Sequence, residues 1–384
     1  MPIAEDRKRH ILTTHVGSLP RPASLSELMV ARLDGRSYDH EAYDAAIADA
    51  VRDTIAWQCD LGVDIVSDGE QSKAGFFAYV RERLSGVEPN PDKAQRAQTR
   101  ERNAFPEFYE AGHSGTQPAG SICTGPLRYT GLAQVQTDIA NAKAALAGRT
   151  VSDCFIPCAS VGTVEGAVIN RYYSSEDEFL EAISETMRVE YEAIVEAGFS
   201  IQLDDPRLAM QYVLEPSMSV EDARKWGQRR VEAMNHSIRN IPSDRVRHHT
   251  CYGINMGPRT HDFEMKHLID IVLSINADFY SFEFGNPRHE HEWKLWKDVT
   301  LPEGKALLPG VVTHASVLVE HPELVAERIV KFASVVGKEN VIASTDCGFA
   351  STPRALPEIH PTIVKAKFES LVEGARLATK ELFG

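Results

Sequence analysis

What most constrains this chain is a rhythm of amphipathic helices alternating with short apolar runs. "DHEAYDAAIADAVRDTIAWQCDLG" (39–62) reads as a helix, because Tyr43, Ile47, Val51 and Ile55 recur every four residues and Gly62 can end it. "VDIVSDGE" (63–70) follows as a strand. "SSEDEFLEAISETMRVEYEAIVEAG" (174–198) is a second helix, with a Ser cap, an acidic first turn and a terminal Gly, and "FSIQLDDP" (199–206) is the strand behind it. The pattern continues to the end of the chain. Alternating units of this kind imply a parallel sheet, and the near-continuous apolar strands suit burial on both faces.

Nine strands are predicted, at 11–18, 64–70, 121–129, 153–160, 200–205, 246–252, 278–284, 306–314 and 341–347. A (β/α)₈ TIM barrel needs eight. The surplus one is assigned to "SICTGPLRYTG", which follows a polar stretch of little periodicity. The expectation is an α/β chain forming a single (β/α)₈ barrel domain over 1–384, with an inserted surface excursion around 86–120.

Composition narrows the function classes. The formal net charge of −14 disfavours nucleic acid, whose binding rests on Lys and Arg neutralising phosphates. No apolar run approaches the roughly 18–20 residues of a membrane span. The N-terminus "MPIAEDRKRHILTTH" lacks the apolar core of a signal peptide. The 6 Cys are too sparse for a disulfide framework. A reduced, cytoplasmic protein is expected, with no membrane or nucleic-acid partner; a homo-oligomer is left open.

The polar residues at predicted strand ends carry the chemistry. Glu70 closes one strand, and Asp204 with Asp205 another. His249 and Cys251 lie two apart in "RHHTCYG", a spacing that puts both on one face of a strand. Glu283, His314 and Cys347 end three more. In a barrel these ends converge on one mouth. His249, Cys251, Glu283 and Cys347 together make a zinc set, since thiolates and imidazole suit zinc better than hard-oxygen metals. Assembly from three strands is usual for a catalytic rather than a structural site.

These segments also carry a resemblance. "TTHVGSLPRP", "SDGE", "QLDDP", "HTCY", "FE", "THAS" and "TDCG" follow in the order found in the C-terminal barrel of the cobalamin-independent methionine synthase family, which the chain resembles from about residue 11 to 376. The resemblance implies a zinc held by His249, Cys251, Glu283 and Cys347 that activates homocysteine for methyl transfer. It further implies Gly17 and Ser18 as backbone donors to the amino-acid carboxylate, Glu70 and Asp204 as partners of its ammonium, and His314 as a proton relay. The chain departs from the family in three ways. The second, N-terminal barrel of full-length synthases is not read here. The segment after Glu283 becomes "FGNPRHEHEW", and the folate-facing strand becomes "CFIPCASVG". Single-barrel relatives include epoxyalkane:coenzyme M transferase.

A leaving amine or alkoxide needs a proton, so His314 is the expected general acid, with Asp204 or Asp205 as its partner. His15, beside the predicted carboxylate site, reads equally as a packed or capping residue and as a substrate contact. Within "RHEHEW" (288–293) the choice is between a solvated helix start and a substrate-facing loop. Cys154 and Cys158 read as buried small residues. Arg21, Lys73, Arg207, Arg259 and Arg288 lie just past strand ends; most are expected on the surface, one or two on an anionic substrate group. The sequence thus predicts Zn²⁺-dependent alkyl transfer from a methyl or alkyl donor to a small-molecule thiol, homocysteine first. The alternative is alkyl or epoxide transfer to another thiol such as coenzyme M. A non-catalytic zinc-binding relative is the reading from another class.

Overall fold

A computed structural model describes residues 3–90, 99–111, 120–253, 257–350, 352–354 and 359–384. Parts of the predicted excursion, 91–98 and 112–119, lie outside the described residues.

Eight strands form the barrel: β1 (Leu12–Thr13), β2 (Ile65–Ser67), β3 (Asp153–Ala159), β4 (Ser200–Asp205), β5 (Val246–Thr250), β6 (Phe279–Phe282), β7 (Ala306–Val312) and β8 (Ile342–Thr345). Their order is β1-β8-β7-β6-β5-β4-β3-β2, and every paired neighbour is parallel. Side chains bridge the seam between β1 and β2. The Thr13 amide and hydroxyl each donate to Asp64 at 2.8 Å, and the Thr14 hydroxyl donates to the Ile65 carbonyl at 3.0 Å.

The two helices read from periodicity are present as His40–Leu61 and Glu176–Glu196. Asp39 and Ser175 cap them, and Gly62 takes the left-handed conformation that ends the first. Tyr43, Ile47, Val51 and Ile55 are all buried. The strands are shorter than predicted. Residues 14–18 lie beyond β1, and among them Gly17 has φ +137°, where a Cβ would sit 2.8 Å from the Glu70 carboxylate. The surplus strand, Ser121–Tyr129, lies outside the barrel, as assigned. It pairs antiparallel with Leu84–Pro89 and parallel with Val168–Asn170, two strands the sequence reading did not include. The excursion is therefore an insertion within a hairpin. No helix among the described residues is long and apolar enough to cross a membrane.

The barrel interior is layered. Leu12, Ile65, Phe155, Phe279, Ala306, Leu308 and Ile342 form an apolar floor. Above it, Arg247 stacks its guanidinium 3.6 Å from the Phe155 ring centroid and donates across the barrel to the Thr14 hydroxyl and the His15 carbonyl. Gln202 likewise spans the interior to the Val16 carbonyl. These two buried side chains set the height of the loop that carries Gly17 and Ser18. Arg247 is wholly buried, and desolvation pulls its pKa down to about 9.

Candidate metal and thiol site

Strand register builds one half of the mouth. Asp204, His249 and Ser281 are Cα partners on adjacent strands. Cys251 and Glu283 come two residues beyond the last two, on the same faces and one step nearer the opening. The Cys251 and Cys347 sulfurs lie 3.4 Å apart. Ligand atoms of His249, Cys251 and Cys347 all fall within 4.8 Å of one another, as do those of Glu283, His314 and Cys347. His314 was read outside the metal set, yet it stands against that set.

The donors are prepared for a cation. His249 Nδ1 is hydrogen-bonded to the Ser281 hydroxyl at 3.1 Å, while its buried Nε2 has no partner. Burial, with His248, Arg247 and His314 nearby, holds its pKa well below the usual range, so the ring is neutral and can ligate. The Cys251 contact and burial push the Cys347 thiol well up. Two buried thiols in contact, beside a carboxylate and an unpartnered imidazole nitrogen, fit a divalent ion that would hold both sulfurs as thiolates.

Glu283 is only 1% exposed and is held by the chain: its Oε2 accepts from Arg259 at 2.8 Å and from Asn286 at 3.0 Å, its Oε1 from the Tyr252 amide at 3.2 Å. Asp346, which the sequence reading passed over inside "TDCG", accepts from the amides of Phe284 and Gly285 at 2.7 and 2.6 Å. It fixes the turn after Glu283, and Gly310 leaves room for it, since a Cβ there would fall 2.1 Å from Asp346 Oδ1. An acidic residue beside a predicted ligand cysteine was the available signal.

The other half of the mouth holds Gly17, Ser18, Glu70 and Asp204, all at the ends of β1, β2 and β4. Glu70 is buried in a left-handed conformation, φ 56°. Desolvation raises its pKa although Lys73 and Arg21 oppose the rise. Asp204 is raised well above the usual range by burial and by Glu70, and its buried Oδ2 has no partner. His15 is 1% exposed; its Nδ1 accepts from the Gly17 amide at 3.2 Å and its Nε2 donates to Gln58 at 2.8 Å. Both ring nitrogens are thus engaged by the chain, which gives His15 a capping role at Gly17. Burial depresses its pKa to about 3. Asp205 caps the helix Pro206–Leu214 and lies 3.9 Å from His248, on the side of the strands away from the mouth.

Three cations expected on the surface are interior. Arg21, Lys73 and Arg259 are 8%, 2% and 3% exposed. Arg21 donates to the Glu70 and Lys73 carbonyls, and Lys73 to the Pro157 carbonyl. Lys73 lies near Asp68 and Glu70 of its own segment and Asp138 of a distant helix, and Arg259 binds both its neighbour Asp262 and the distant Glu283. "RHEHEW" also turns inward in part. His289 and Glu292 are buried and bonded to each other at 2.8 Å, whereas His291 is exposed. A helical turn, Glu290–Lys297, does start here, partly exposed at Arg288 and His291 and partly buried. Cys154 and Cys158 are buried, as expected.

Residues 11–105 and 163–365 match the model of the cobalamin-independent synthase catalytic domain. The chain belongs to that family. The unmatched interval contains the outlying strand Ser121–Tyr129 and β3, the rewritten "CFIPCA" strand. Among curated relatives, a methionine synthase of Sulfurisphaera tokodaii is 24% identical over 388 residues, covering 96% of this chain and 93% of its own. One from Saccharolobus solfataricus is 25% identical, with 96% and 95% covered. The B12-independent methionine synthase of Shewanella sp. W3-18-1, solved with selenomethionine, superposes with a TM-score of 0.72 at 20% identity, over 97% of this chain and 99% of that one. A putative vitamin-B12-independent methionine synthase from Listeria monocytogenes gives 0.68 at 16% identity, over 95% and 98%. These two carry the barrel fold.

Proposed function

We propose that this chain is a zinc-dependent methyltransferase acting on the thiol of an amino acid, homocysteine first. One observation carries the reading: two buried cysteines, an unpartnered imidazole nitrogen and a carboxylate gather at the same mouth as two buried carboxylates that lack a full countercharge. His249, Cys251 and Cys347, with Glu283, would hold the ion. When bound, it would supply a substrate sulfur kept as thiolate, against a free-thiol pKa near 8.5.

The chain's own residues do the rest. Glu70 and Asp204 accept hydrogen bonds from the substrate ammonium. Each resists ionisation because it is buried, and each is raised even with Lys73 nearby, so an arriving cation is what would let both ionise. That favours an ammonium-bearing thiol over a sulfonate, which would add negative charge. Gly17 and Ser18 receive the carboxylate, at a height fixed by Arg247, Gln202 and His15. His314 protonates the leaving group of the methyl donor.

The experiment is elemental analysis joined to X-ray absorption. One zinc per chain is expected, largely lost in both Cys251→Ser and Cys347→Ser. Homocysteine should add a Zn–S neighbour at about 2.3 Å. Full zinc in both variants would refute the site. A new sulfur neighbour with a sulfonated thiol but not with homocysteine would transfer the reading to coenzyme M-type acceptors.

A further inference from the structure

We propose that Arg259 is a positioning residue that competes with the metal ion for Glu283, giving this carboxylate a second partner when the substrate thiol takes its place. The inference rests on the zinc reading above and draws on two segments outside the metal set, the hairpin excursion and "RHEHEW".

The four donors are not equivalent. His249 Nε2 has no partner in the chain, and the Cys251 and Cys347 sulfurs face each other. Both Glu283 oxygens accept from chain donors, and one of those donors is the Arg259 guanidinium, at 2.8 Å. A carboxylate leaving a metal in a buried site would otherwise be left as an uncompensated charge, which a low-dielectric interior disfavours strongly. Arg259 offers it a guanidinium within the same pocket.

The guanidinium is itself fixed on all sides. Arg259 Nε donates to Asp262 Oδ2 at 2.8 Å, and the same carboxylate oxygen lies 3.0 Å from His289 Nε2. His289 in turn bonds Glu292 at 2.8 Å, and Glu292 accepts from the Met265 amide at 2.8 Å. The Tyr252 ring lies against both Arg259 and His289. Among the described residues only two non-glycine positions have positive φ, Glu70 and Arg259, each at 56°. A non-glycine residue holds that conformation only where its surroundings over-determine it. Part of the clamp comes from the excursion. Glu101, 3% exposed, accepts from the Thr260 hydroxyl at 3.0 Å and from the His261 amide at 2.6 Å, on the two residues that follow Arg259. Arg100 anchors the same short helix by donating to the Tyr212 carbonyl at 2.8 Å. The excursion and the "RHEHEW" turn therefore grip the Arg259 loop from opposite sides.

The test uses the full-length, zinc-loaded protein with Arg259→Gln, Arg259→Lys and Glu283→Gln. Zinc affinity is read by competition with a chelator, and the metal neighbours by X-ray absorption with and without homocysteine. In the parent, homocysteine should replace one oxygen neighbour by sulfur. In Arg259→Gln the oxygen should persist and homocysteine should bind roughly 10- to 100-fold more weakly, the scale of outer partners at metal sites, while zinc is held at least as tightly. Lysine, which keeps the charge but not the fork, should restore part of the thiol affinity. In a Glu283→Gln background Arg259→Gln should have no further effect on thiol affinity. Parent-like exchange and affinity in Arg259→Gln would overturn the inference, and so would zinc loss from a folded Arg259→Gln protein. If Arg259→Gln does not fold, Arg259→Lys decides: thiol affinity at the parent level overturns the inference, and weakened affinity with unweakened zinc supports it. Failure of the underlying zinc reading would show differently, as a parent protein that takes up no zinc or gains no sulfur neighbour.

Discussion

The two halves of the barrel mouth handle charge in opposite ways. On the β5–β6–β8 side, the soft donor atoms of His249, Cys251 and Cys347 have few chain partners, while the hard donor, Glu283, is bound by Arg259, Asn286 and the Tyr252 amide. On the β1–β2–β4 side, Glu70 and Asp204 are buried near Lys73, and burial raises the pKa of both, Asp204's strongly. The first half is shaped for a cation that forms bonds. The second suits a cation that only donates hydrogen bonds and neutralises charge. A zinc ion and an alkylammonium differ in just this way, and the two tests can be made separately.

The largest effect expected in breaking this division comes from His314, which follows β7, between the strands that lead to Glu283 and Cys347. As a proton donor it should contribute about 10²–10⁴-fold to turnover. His314→Asn should keep its zinc and its thiol affinity while kcat falls by that factor, and a methyl donor whose leaving group needs no proton should narrow the gap. Zinc loss from folded His314→Asn, which its distance to Cys347 and Glu283 makes the relevant alternative, would move it into the metal half.

Asp204→Asn comes next. It removes one charged acceptor from the ammonium, worth about 1.5–3 kcal/mol, so KM for the amino-acid thiol should rise roughly 10- to 150-fold. Zinc content should not change. A fall in zinc would mean the halves are coupled through the Asp204–His249 register rather than separable.

The third effect is on stability rather than on turnover or KM. His289 faces Asp262, Glu292, Glu283, Arg259 and the Tyr252 ring, and its bonds to Asp262 and Glu292 outweigh burial and raise its pKa to about 9. A folded-state pKa above the unfolded value of about 6.5 contributes stability in full below that value and loses it as pH rises through about 9. Metal-free parent protein should therefore lose up to a few kcal/mol of denaturant stability between these limits. His289→Gln should lack that slope. Equal slopes would show that the cluster around Arg259 is held without the imidazolium.

Much of the architecture is local and so was open to a reading of the chain. A four-residue apolar period fixes a helix wherever it occurs, and His40–Leu61 and Glu176–Glu196 follow from it. The alternation of helix and strand then requires a parallel sheet, and a barrel sends its strand ends to one mouth. The i, i+2 spacing of His249 and Cys251 places them on one face without any knowledge of the rest. These placements succeed because each depends on backbone geometry that repeats over a few residues.

What tertiary structure alone decided is the fate of charge. Asp68 and Glu70 near Lys73, and Asp262 near Arg259, do not by themselves separate these residues from surface cations, because burial depends on how distant segments pack over them. Arg259 meets Glu283 across 24 positions, and Glu101 reaches Thr260 across 159. The short strands Leu84–Pro89 and Val168–Asn170 escaped notice because their partner, Ser121–Tyr129, pairs with them only once the chain has folded. Residue type and spacing therefore determined the barrel and the donors at its mouth. Which of those donors stays poised for a metal, and which is held by another part of the chain, depended on contacts between distant segments, since the energy of a buried charge belongs to its surroundings and not to its neighbours in sequence.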